Sequence, residues 1–367
     1  MPLLVILLAL LLAPPAMAQG GDGSCLTADP PPPGEVVPVR FGITPRLAGS
    51  AGVTQEEPAA EDLGKATKAL QDLRPKRRQL VLRLNRLFWS DGVAGIKEMG
   101  KLVRHFALAG FRSEIQVRYH PPEGREGDIE GFEDFVREAV RRLGSRRAVT
   151  GFSITNEANL PISPNTSDGA YEGVVDALVR GVIVARSVLR RIGRPRLDLG
   201  FNVMWRWSPE SDRAFWEDIG AHPDADRFRK RVDHVGVQVY PALVWPPAPI
   251  PGRTAGDEVA EALTLVRDCY MPKAGLGREI DLWVSENGYP TNLGRGEPSQ
   301  RRDLEATIEA VALWSGSLGI TDYRWFNLRD NNSDGADLFS AVGLLRDDYS
   351  RKPAFAAYRR AIKLNGR

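Results

Sequence analysis

Strand-like apolar runs alternate with helix-period segments eight times along the chain. The run at residues 235–239 is nearly continuously apolar, as expected when helices cover both faces of a parallel sheet. Residues 132–143 show apolar side chains at i, i+3, i+4 spacing, and Gly144 follows as a stop signal. An eightfold alternation predicts a single α/β domain, a closed (β/α)8 TIM barrel, rather than an open doubly wound sheet.

The predicted strands and helices share this regular spacing along the chain. The strands are residues 39–43, 79–84, 112–119, 148–155, 197–204, 232–240, 280–285 and 321–326. The helices are residues 61–73, 92–108, 129–143, 170–192, 210–219, 257–270, 300–313 and 354–362. The first strand is followed by neither of the glycine-rich phosphate-binding motifs, G-x-G-x-x-G and G-x-x-x-x-G-K-[ST]. This absence disfavours an open sheet that binds a nucleotide. On the length of the chain alone, an arrangement of two domains is also possible.

The beginning of the chain has the composition of an export signal. An unbroken apolar run at residues 3–12 precedes two prolines and an Ala-Met-Ala site, which predicts a signal peptide over residues 1–18, although no positive charge precedes the run. The run is short for a bilayer span, and a retained anchor is the open alternative. Residues 19–35 are predicted to be a flexible linker and residues 36–367 the barrel. We therefore expect a secreted or cell-envelope protein without a membrane span in its mature form.

The charge and cysteine content narrow the classes of partner. There are 49 basic and 47 acidic residues, and a net charge of +2 gives no overall field that attracts nucleic acid or an anionic membrane. In an oxidising compartment Cys25 and Cys269 can form one disulfide; two free thiols are the open alternative. The four histidines and two cysteines have no recognisable zinc spacing, so we expect neither metal nor cofactor.

Two glutamates lie at the ends of apolar strands. Glu157 ends the fourth predicted strand and Glu286 the seventh, and in a TIM barrel reactive groups lie at the carboxyl ends of the strands. Two carboxyl groups about 5 Å apart can cleave a glycosidic bond with retention, one as acid and the other as nucleophile. A pair of satisfied structural carboxylates, or a site that has lost its activity, is the alternative.

The residues around these glutamates carry a family resemblance. Asn156-Glu157 on strand four and Ser-Glu-Asn-Gly at residues 285–288 on strand seven resemble the motifs of clan A retaining glycoside hydrolases, with similarity to families 1, 17, 39 and 5. The resemblance implies a retaining β-glycoside hydrolase acting on an extracellular oligo- or polysaccharide, with Glu286 as nucleophile and Glu157 as acid/base. It also implies that Asn156 holds the sugar 2-hydroxyl. Ala158 stands where these families usually have a proline after the acid/base glutamate, so the motif does not assign the chain to one family.

The same resemblance implies further substrate-binding residues. Tyr240, at the end of strand six, resembles the clan tyrosine that hydrogen-bonds the nucleophile, and Trp325 on strand eight resembles the tryptophan floor of the sugar site. Arg83 on strand two can match the clan arginine near the nucleophile, and Arg86 is its competitor. For Tyr240 an ordinary strand-end tyrosine, and for Arg83 a structural ion pair, are the open alternatives.

Two further candidates rest on weaker signals. His120 follows strand three and is a further sugar contact or a loop histidine. Trp205 ends strand five and belongs to a group of tryptophans near strand ends, a bias that supports a carbohydrate cleft because aromatic faces stack on sugars, although tryptophan also fills cores. The group comprises Trp89, Trp205, Trp207, Trp245 and Trp325.

Two other classes of function stay open at this point. A non-catalytic barrel that binds polysaccharide keeps the aromatic residues and tolerates loss of either glutamate. A metal-dependent barrel hydrolase is disfavoured by the histidine count. We expect a carbohydrate substrate and a monomer, with the segments at residues 245–249 and 163–169 shaping the cleft.

Overall fold

The protein is described here from a computed structural model, which covers residues 25–45, 58–162, 164, 166–205, 208–241, 243 and 250–367. The predicted signal peptide lies outside the described residues, as do Trp207 and the segment at residues 245–249. In the described part of the chain, no helix has both the length and the apolar character that a membrane crossing requires.

Eight parallel strands close into a barrel in sequence order, and the first strand pairs with the last. The predicted (β/α)8 TIM barrel is confirmed, and each observed strand overlaps the corresponding predicted one. The strands are β1 (Arg40–Ile43), β2 (Val81–Phe88), β3 (Arg112–Arg118), β4 (Val149–Ile154), β5 (Asp198–Trp205), β6 (His234–Val239), β7 (Asp281–Asn287) and β8 (Ile320–Trp325).

Helices connect the strands and pack against one another around the barrel. They are α1 (Leu63–Leu73), α2 (Gly92–Leu108), α3 (Ile129–Gly144), α4 (Val174–Arg191), α5 (Pro209–Ala221), α6 (Ala225–Arg229), α7 (Ala255–Leu265), α8 (Met271–Lys273), α9 (Glu297–Leu313), α10 (Ser315–Leu318) and α11 (Pro353–Asn365). A π-helical turn, Val266–Tyr270, joins α7 to α8.

Helix α3 shows how the sequence forms this outer layer. The Asp128 side chain accepts a hydrogen bond of 2.9 Å from the Gly131 N–H and so caps the helix. Phe132, Val136 and Val140 recur every four residues and are fully buried. Burying each such side chain contributes about 1.5–3 kcal/mol, so this face holds the helix on the barrel.

The amino-terminal end of the barrel interior is ionic. Arg324 on β8 is fully buried and donates to Glu114 at 2.7 Å and to Asp322 at 2.6 Å, and Arg40 on β1 donates to Asp322 at 2.6 Å. A side chain at Gly42 would collide with the Arg324 guanidinium stem, so glycine is required there. Buried charges are tolerated only when they are paired, as these are. The cluster fills the amino-terminal end of the barrel, so a site can form only at the opposite end.

The described amino-terminal segment, residues 25–35, is attached to the barrel. Cys25 forms a disulfide with Cys269, with Cα atoms 5.8 Å apart, so the two thiols are paired. Further along the segment, the Trp314 indole donates a 2.9 Å hydrogen bond to the Pro31 carbonyl. These two attachments fix residues 25 and 31 of the predicted linker to the barrel, and the bounds of linker and barrel stay a prediction.

Candidate active site

The two glutamates meet at the carboxyl end of the barrel. Glu157 follows β4 and Glu286 lies near the end of β7, and both are buried, with exposed fractions of 7% and 5%. One atom of the Gln238 side-chain amide lies 3.3 Å from Oε2 of Glu286, and the same atom contacts Oε1 of Glu157. The nearest carboxyl oxygens are therefore less than about 6 Å apart, which fits covalent retention and is short of the spacing for inversion.

The turn after β4 holds Glu157 in an unusual backbone conformation. Thr155 and Glu157 have φ angles of 65° and 47°, a left-handed region that non-glycine residues rarely occupy. Two hydrogen bonds of 2.8 Å hold the turn: the Glu157 N–H donates to Asn202 Oδ1, and the Asn156 N–H donates to Asp168 Oδ2. Conformations of this kind cost about 1–3 kcal/mol each and persist where the surroundings fix them.

Glu286 is held by two donors. Arg83 on β2, itself buried, forms an ion pair with Oε1, and the Tyr240 hydroxyl donates to Oε2 at 2.6 Å. Burial, together with the neighbouring Glu286 charge, raises the pKa of Tyr240 well above its usual value, so this hydroxyl stays protonated and can donate. The competitor Arg86 lies 4.9 Å from the centre of the Phe88 ring, so Arg83 is the arginine that reaches the glutamate.

Glu157 has a different environment. Burial, and then the negative charge of Glu286, raise its pKa to about 8, while the Ser167 hydroxyl and the charges of Arg118 and Arg83 act in the opposite direction. Ser167 donates to Oε2 at 2.6 Å. At neutral pH Glu157 therefore keeps its proton, so the neighbouring carboxyl groups have contrasting environments.

Hydrogen bonds within the protein fix the side-chain amide of Asn156. Its side-chain oxygen accepts from Gln116 at 2.7 Å and from Gln238 at 2.6 Å, and its side-chain nitrogen donates to the Thr166 carbonyl at 2.8 Å. The residue is 6% exposed and adjoins Glu157. The amide therefore has one defined orientation beside the glutamate pair.

Asp168 joins the ends of β3 and β4. It accepts three hydrogen bonds of 2.8 Å, from the N–H groups of Asn156 and Tyr119 and from the Arg118 guanidinium. The side chain is fully buried. It fixes the loop that carries Ser167. Sequence reasoning placed both residues in the segment at residues 163–169 that shapes the cleft but gave neither a role, because a polar loop carries no catalytic motif.

The structure does not bring Trp325 to the pair. Side chains alternate along β8, and because Arg324 points into the barrel interior, Trp325 points outward and packs against Tyr358 of α11, with ring centres 6.5 Å apart. The next residue, Phe326, packs edge-on against Tyr240 at 6.4 Å. Phe326 therefore occupies the place beside the site that the sequence prediction gave to Trp325.

Trp205 and His120 also lie away from the centre of the pair. Trp205 packs edge-on against Tyr270, at 6.4 Å between ring centres, in the layer between barrel and helices. His120 lies beyond the end of β3, where Nδ1 is 2.9 Å from the Ser90 hydroxyl and the ring meets Tyr171 edge-on at 5.5 Å. Burial and then the Arg118 charge lower the pKa of His120, so it is neutral at neutral pH.

Three further polar residues of the site could have been found from the sequence. Gln116, Asn202 and Gln238 are fully or almost fully buried on β3, β5 and β6. A polar residue within a nearly apolar strand must find hydrogen-bond partners inside the protein, and several such strands converge at the mouth of a barrel. Across the described ranges, no group of three histidine, cysteine, aspartate or glutamate side chains is placed to hold a metal ion.

Comparison with known proteins supports the fold. No model of a protein family matches the chain, and no curated protein matches it. The chain is similar to the GH5_18 structure from Streptomyces cattleya in complex with GlcNAc, with 15% identity over 90% of this chain and 80% of that chain and a TM-score of 0.59. It is also similar to a β-glucosidase from Thermotoga maritima in complex with castanospermine, with 14% identity over 90% and 98% of the two chains and a TM-score of 0.63.

Proposed function

We propose that the protein is a retaining β-glycoside hydrolase that acts on an oligo- or polysaccharide outside the cytoplasm. The observation that carries this proposal is the contrast between two adjacent carboxyl groups: Glu286 is ion-paired with Arg83 and hydrogen-bonded by Tyr240, whereas Glu157 is buried with a pKa of about 8. Neighbouring carboxyl groups held in different protonation states can divide the roles of nucleophile and acid.

In the first step, a carboxylate oxygen of Glu286 attacks the anomeric carbon. The bond from that carbon to the glycosidic oxygen breaks, and this oxygen takes the proton of Glu157 as the leaving group departs. In the second step, Glu157 removes a proton from water while the water oxygen attacks the same carbon and releases Glu286. Two inversions give net retention, and Glu157 ends protonated again.

The residues around the pair suggest how a sugar is held. Asn156 is proposed to contact the 2-hydroxyl beside Glu157, and Phe326 offers an aromatic face beside Tyr240. His120 is proposed as an outer sugar contact. Trp325 and Trp205 form no part of the proposed sugar site, because both pack into the layer outside the barrel.

Two further observations support the proposal. The similar solved structures include β-glucosidases, although the likeness at such identities concerns the fold. The disulfide between Cys25 and Cys269 suits an oxidising compartment, which supports the proposed export through the segment at residues 1–18.

The test is a screen of aryl β-glycosides and β-glucans in which proton NMR follows the anomer released first. We expect a β-anomeric product from the parent protein and at least about a 1,000-fold lower kcat in Glu286→Ala. With azide, Glu157→Ala is expected to give a β-glycosyl azide and Glu286→Ala an α-glycosyl azide, because azide replaces the missing group in each step. An α-anomeric first product, or full activity in Glu286→Ala, would reject the assignment, and polysaccharide binding without cleavage would favour the non-catalytic barrel.

A further inference from the structure

Gln238 lies between the two glutamates. It is fully buried on β6, and its Nε2 donates to Oδ1 of Asn156 at 2.6 Å and to Oδ1 of Asn202 at 2.9 Å. Its other amide atom contacts Oε1 of Glu157 and lies 3.3 Å from Oε2 of Glu286. Which amide atom faces the glutamates decides what Gln238 does, because oxygen accepts a proton and nitrogen donates one.

Backbone groups fix the orientation of both asparagines. Asn202 Oδ1 accepts from the Glu157 N–H at 2.8 Å, and a backbone N–H can only donate. The Asn156 side-chain nitrogen donates to the Thr166 carbonyl at 2.8 Å, and a backbone carbonyl can only accept. Both asparagines therefore present oxygen to Gln238.

The amide oxygen of Gln238 must then face the glutamates. In the reversed orientation that oxygen would lie 2.6 Å and 2.9 Å from two asparagine oxygens, and none of the three atoms carries a hydrogen. In the observed orientation the oxygen meets two carboxyl groups, and a carboxyl group can carry a proton. Glu157 is the one of the two that lies in direct contact with it.

On the basis of the proposed function, we infer that Gln238 is a positioning residue whose Oε1 accepts the acidic proton of Glu157 in the free enzyme. The proton stays on Glu157 until the glycosidic oxygen of a bound substrate replaces Gln238 as its acceptor. The amide thereby orients the acid before the substrate arrives. A hydrogen bond to the neutral form of a carboxyl group favours that form, so the contact raises the pKa of Glu157.

Other groups that face Glu157 act on it as well. Burial and the charge of Glu286 also favour the protonated form. The Ser167 hydroxyl and the two nearby arginines favour the ionised form. The Tyr240 hydroxyl is protonated and is therefore a neutral neighbour of the two glutamates. The charged or titratable groups that meet there are Arg83 on β2, Arg118 on β3, Glu286 on β7 and Tyr240 beyond β6.

The test is the titration of Glu157 in the free, full-length protein. Carbon-13 NMR of side-chain carboxyl groups follows it, and the loss of one resonance in Glu157→Gln identifies the signal. In Gln238→Met, which keeps the length of the side chain and removes its carbonyl, we expect the pKa of Glu157 to fall by about one pH unit. An unchanged or higher pKa would overturn the inference, because it would mean that nitrogen faces the glutamates or that the contact carries no proton.

Two companion variants bracket this result. Ser167→Ala removes a donor to the ionised form and is expected to move the same pKa upward. Gln300→Met removes a buried amide of α9 that bonds the Tyr289 carbonyl and is expected to leave the pKa unchanged. If Gln238→Met fails to fold, Gln238→Leu removes the same carbonyl and carries the same expectation.

This experiment also separates the inference from the proposed function, because it needs no substrate. A protein that cleaves no glycoside but shows the downward shift in Gln238→Met would reject the hydrolase and retain the hydrogen bond. With an accepted substrate, the basic limb of kcat/KM is expected to move down by the same amount in Gln238→Met. A purely structural role would lower the rate without moving that limb, and this result would reject the positioning role.

Discussion

The Tyr240 hydroxyl lies 2.6 Å from Oε2 of Glu286 and donates its proton to that oxygen. Arg83 holds the other oxygen from the opposite side of the mouth, so both oxygens of one carboxylate are fixed before any ligand binds. Groups fixed in this way need no reorganisation during a reaction.

Tyr240→Phe removes one of these donors and little else. Because a hydrogen bond to a charged group contributes about 1.5–3 kcal/mol, we expect kcat/KM to fall about 10- to 100-fold. Tyr358→Phe is the matched control, since its hydroxyl, on α11, donates to the Gly42 carbonyl on β1. The control should lower the melting temperature and leave kcat/KM within about twofold. Equal rates in parent and Tyr240→Phe would show that the hydroxyl does not serve the nucleophile.

Arg83→Met leaves Glu286 buried without its cation. Removing one partner of a buried ion pair costs about 3–5 kcal/mol, so both the free energy of unfolding and the activity should fall strongly. Arg86→Met is the control, because that side chain lies over Phe88. Urea unfolding and kcat/KM measure the two effects. A larger loss in the Arg86 variant would reverse the assignment of the two arginines.

Glu157 makes stability depend on pH. Its pKa rises from 4.5 to about 8 on folding, so between these values the folded state binds more protons than the unfolded state, and the free energy of unfolding falls as the pH rises. Glu157→Gln cannot ionise, and it should exceed the parent in stability by about 1–4 kcal/mol above pH 8, with a difference that shrinks towards pH 5. Thermal melts from pH 5 to pH 9 measure it. A difference that stays constant with pH would contradict the raised pKa, and Glu138→Gln on the exposed face of α3 is the control.

The Cys25–Cys269 disulfide should contribute to stability without affecting the chemistry. It spans 244 residues, and loss of a native disulfide costs about 2–5 kcal/mol. The double variant Cys25→Ala with Cys269→Ala should therefore melt at a lower temperature and keep its kcat. Adding a reducing agent should lower the melting temperature of the parent and leave that of the double variant unchanged. No response of the parent to the reductant would argue against the bond.

The barrel was predictable because its signals are local. Each strand is a short apolar run between helix-period segments, and helices such as α2, predicted and observed at Gly92–Leu108, carry their periodicity in consecutive residues. The strand that ends in Asn287 was predicted to end at residue 285, since strand ends depend on pairing with neighbours that sequence does not reveal. The position of Glu157 and Glu286 at one face followed from the strand count alone.

The arrangement around the pair was less predictable. Trp325 and Phe326 are adjacent aromatic residues, and only the alternation set by Arg324 in the barrel interior shows which of them faces the site. Gln238 bonds Asn156 beyond the end of β4 and Asn202 on β5, and the closeness of these residues is a property of the closed barrel rather than of any motif. Long-range hydrogen bonds of this kind have no sequence spacing, so pattern reasoning could place the glutamates but not the amides that orient them.

The bond between Cys25 and Cys269 also changes what a break in the chain would do. Most of the barrel, from β1 through β6, lies between these two residues in sequence. A protease that cuts any loop in that stretch leaves two pieces that share a covalent link as well as a common core. Such a nicked molecule should migrate as one band in a denaturing gel without reductant and as two bands with it, so a single cut would not release a fragment.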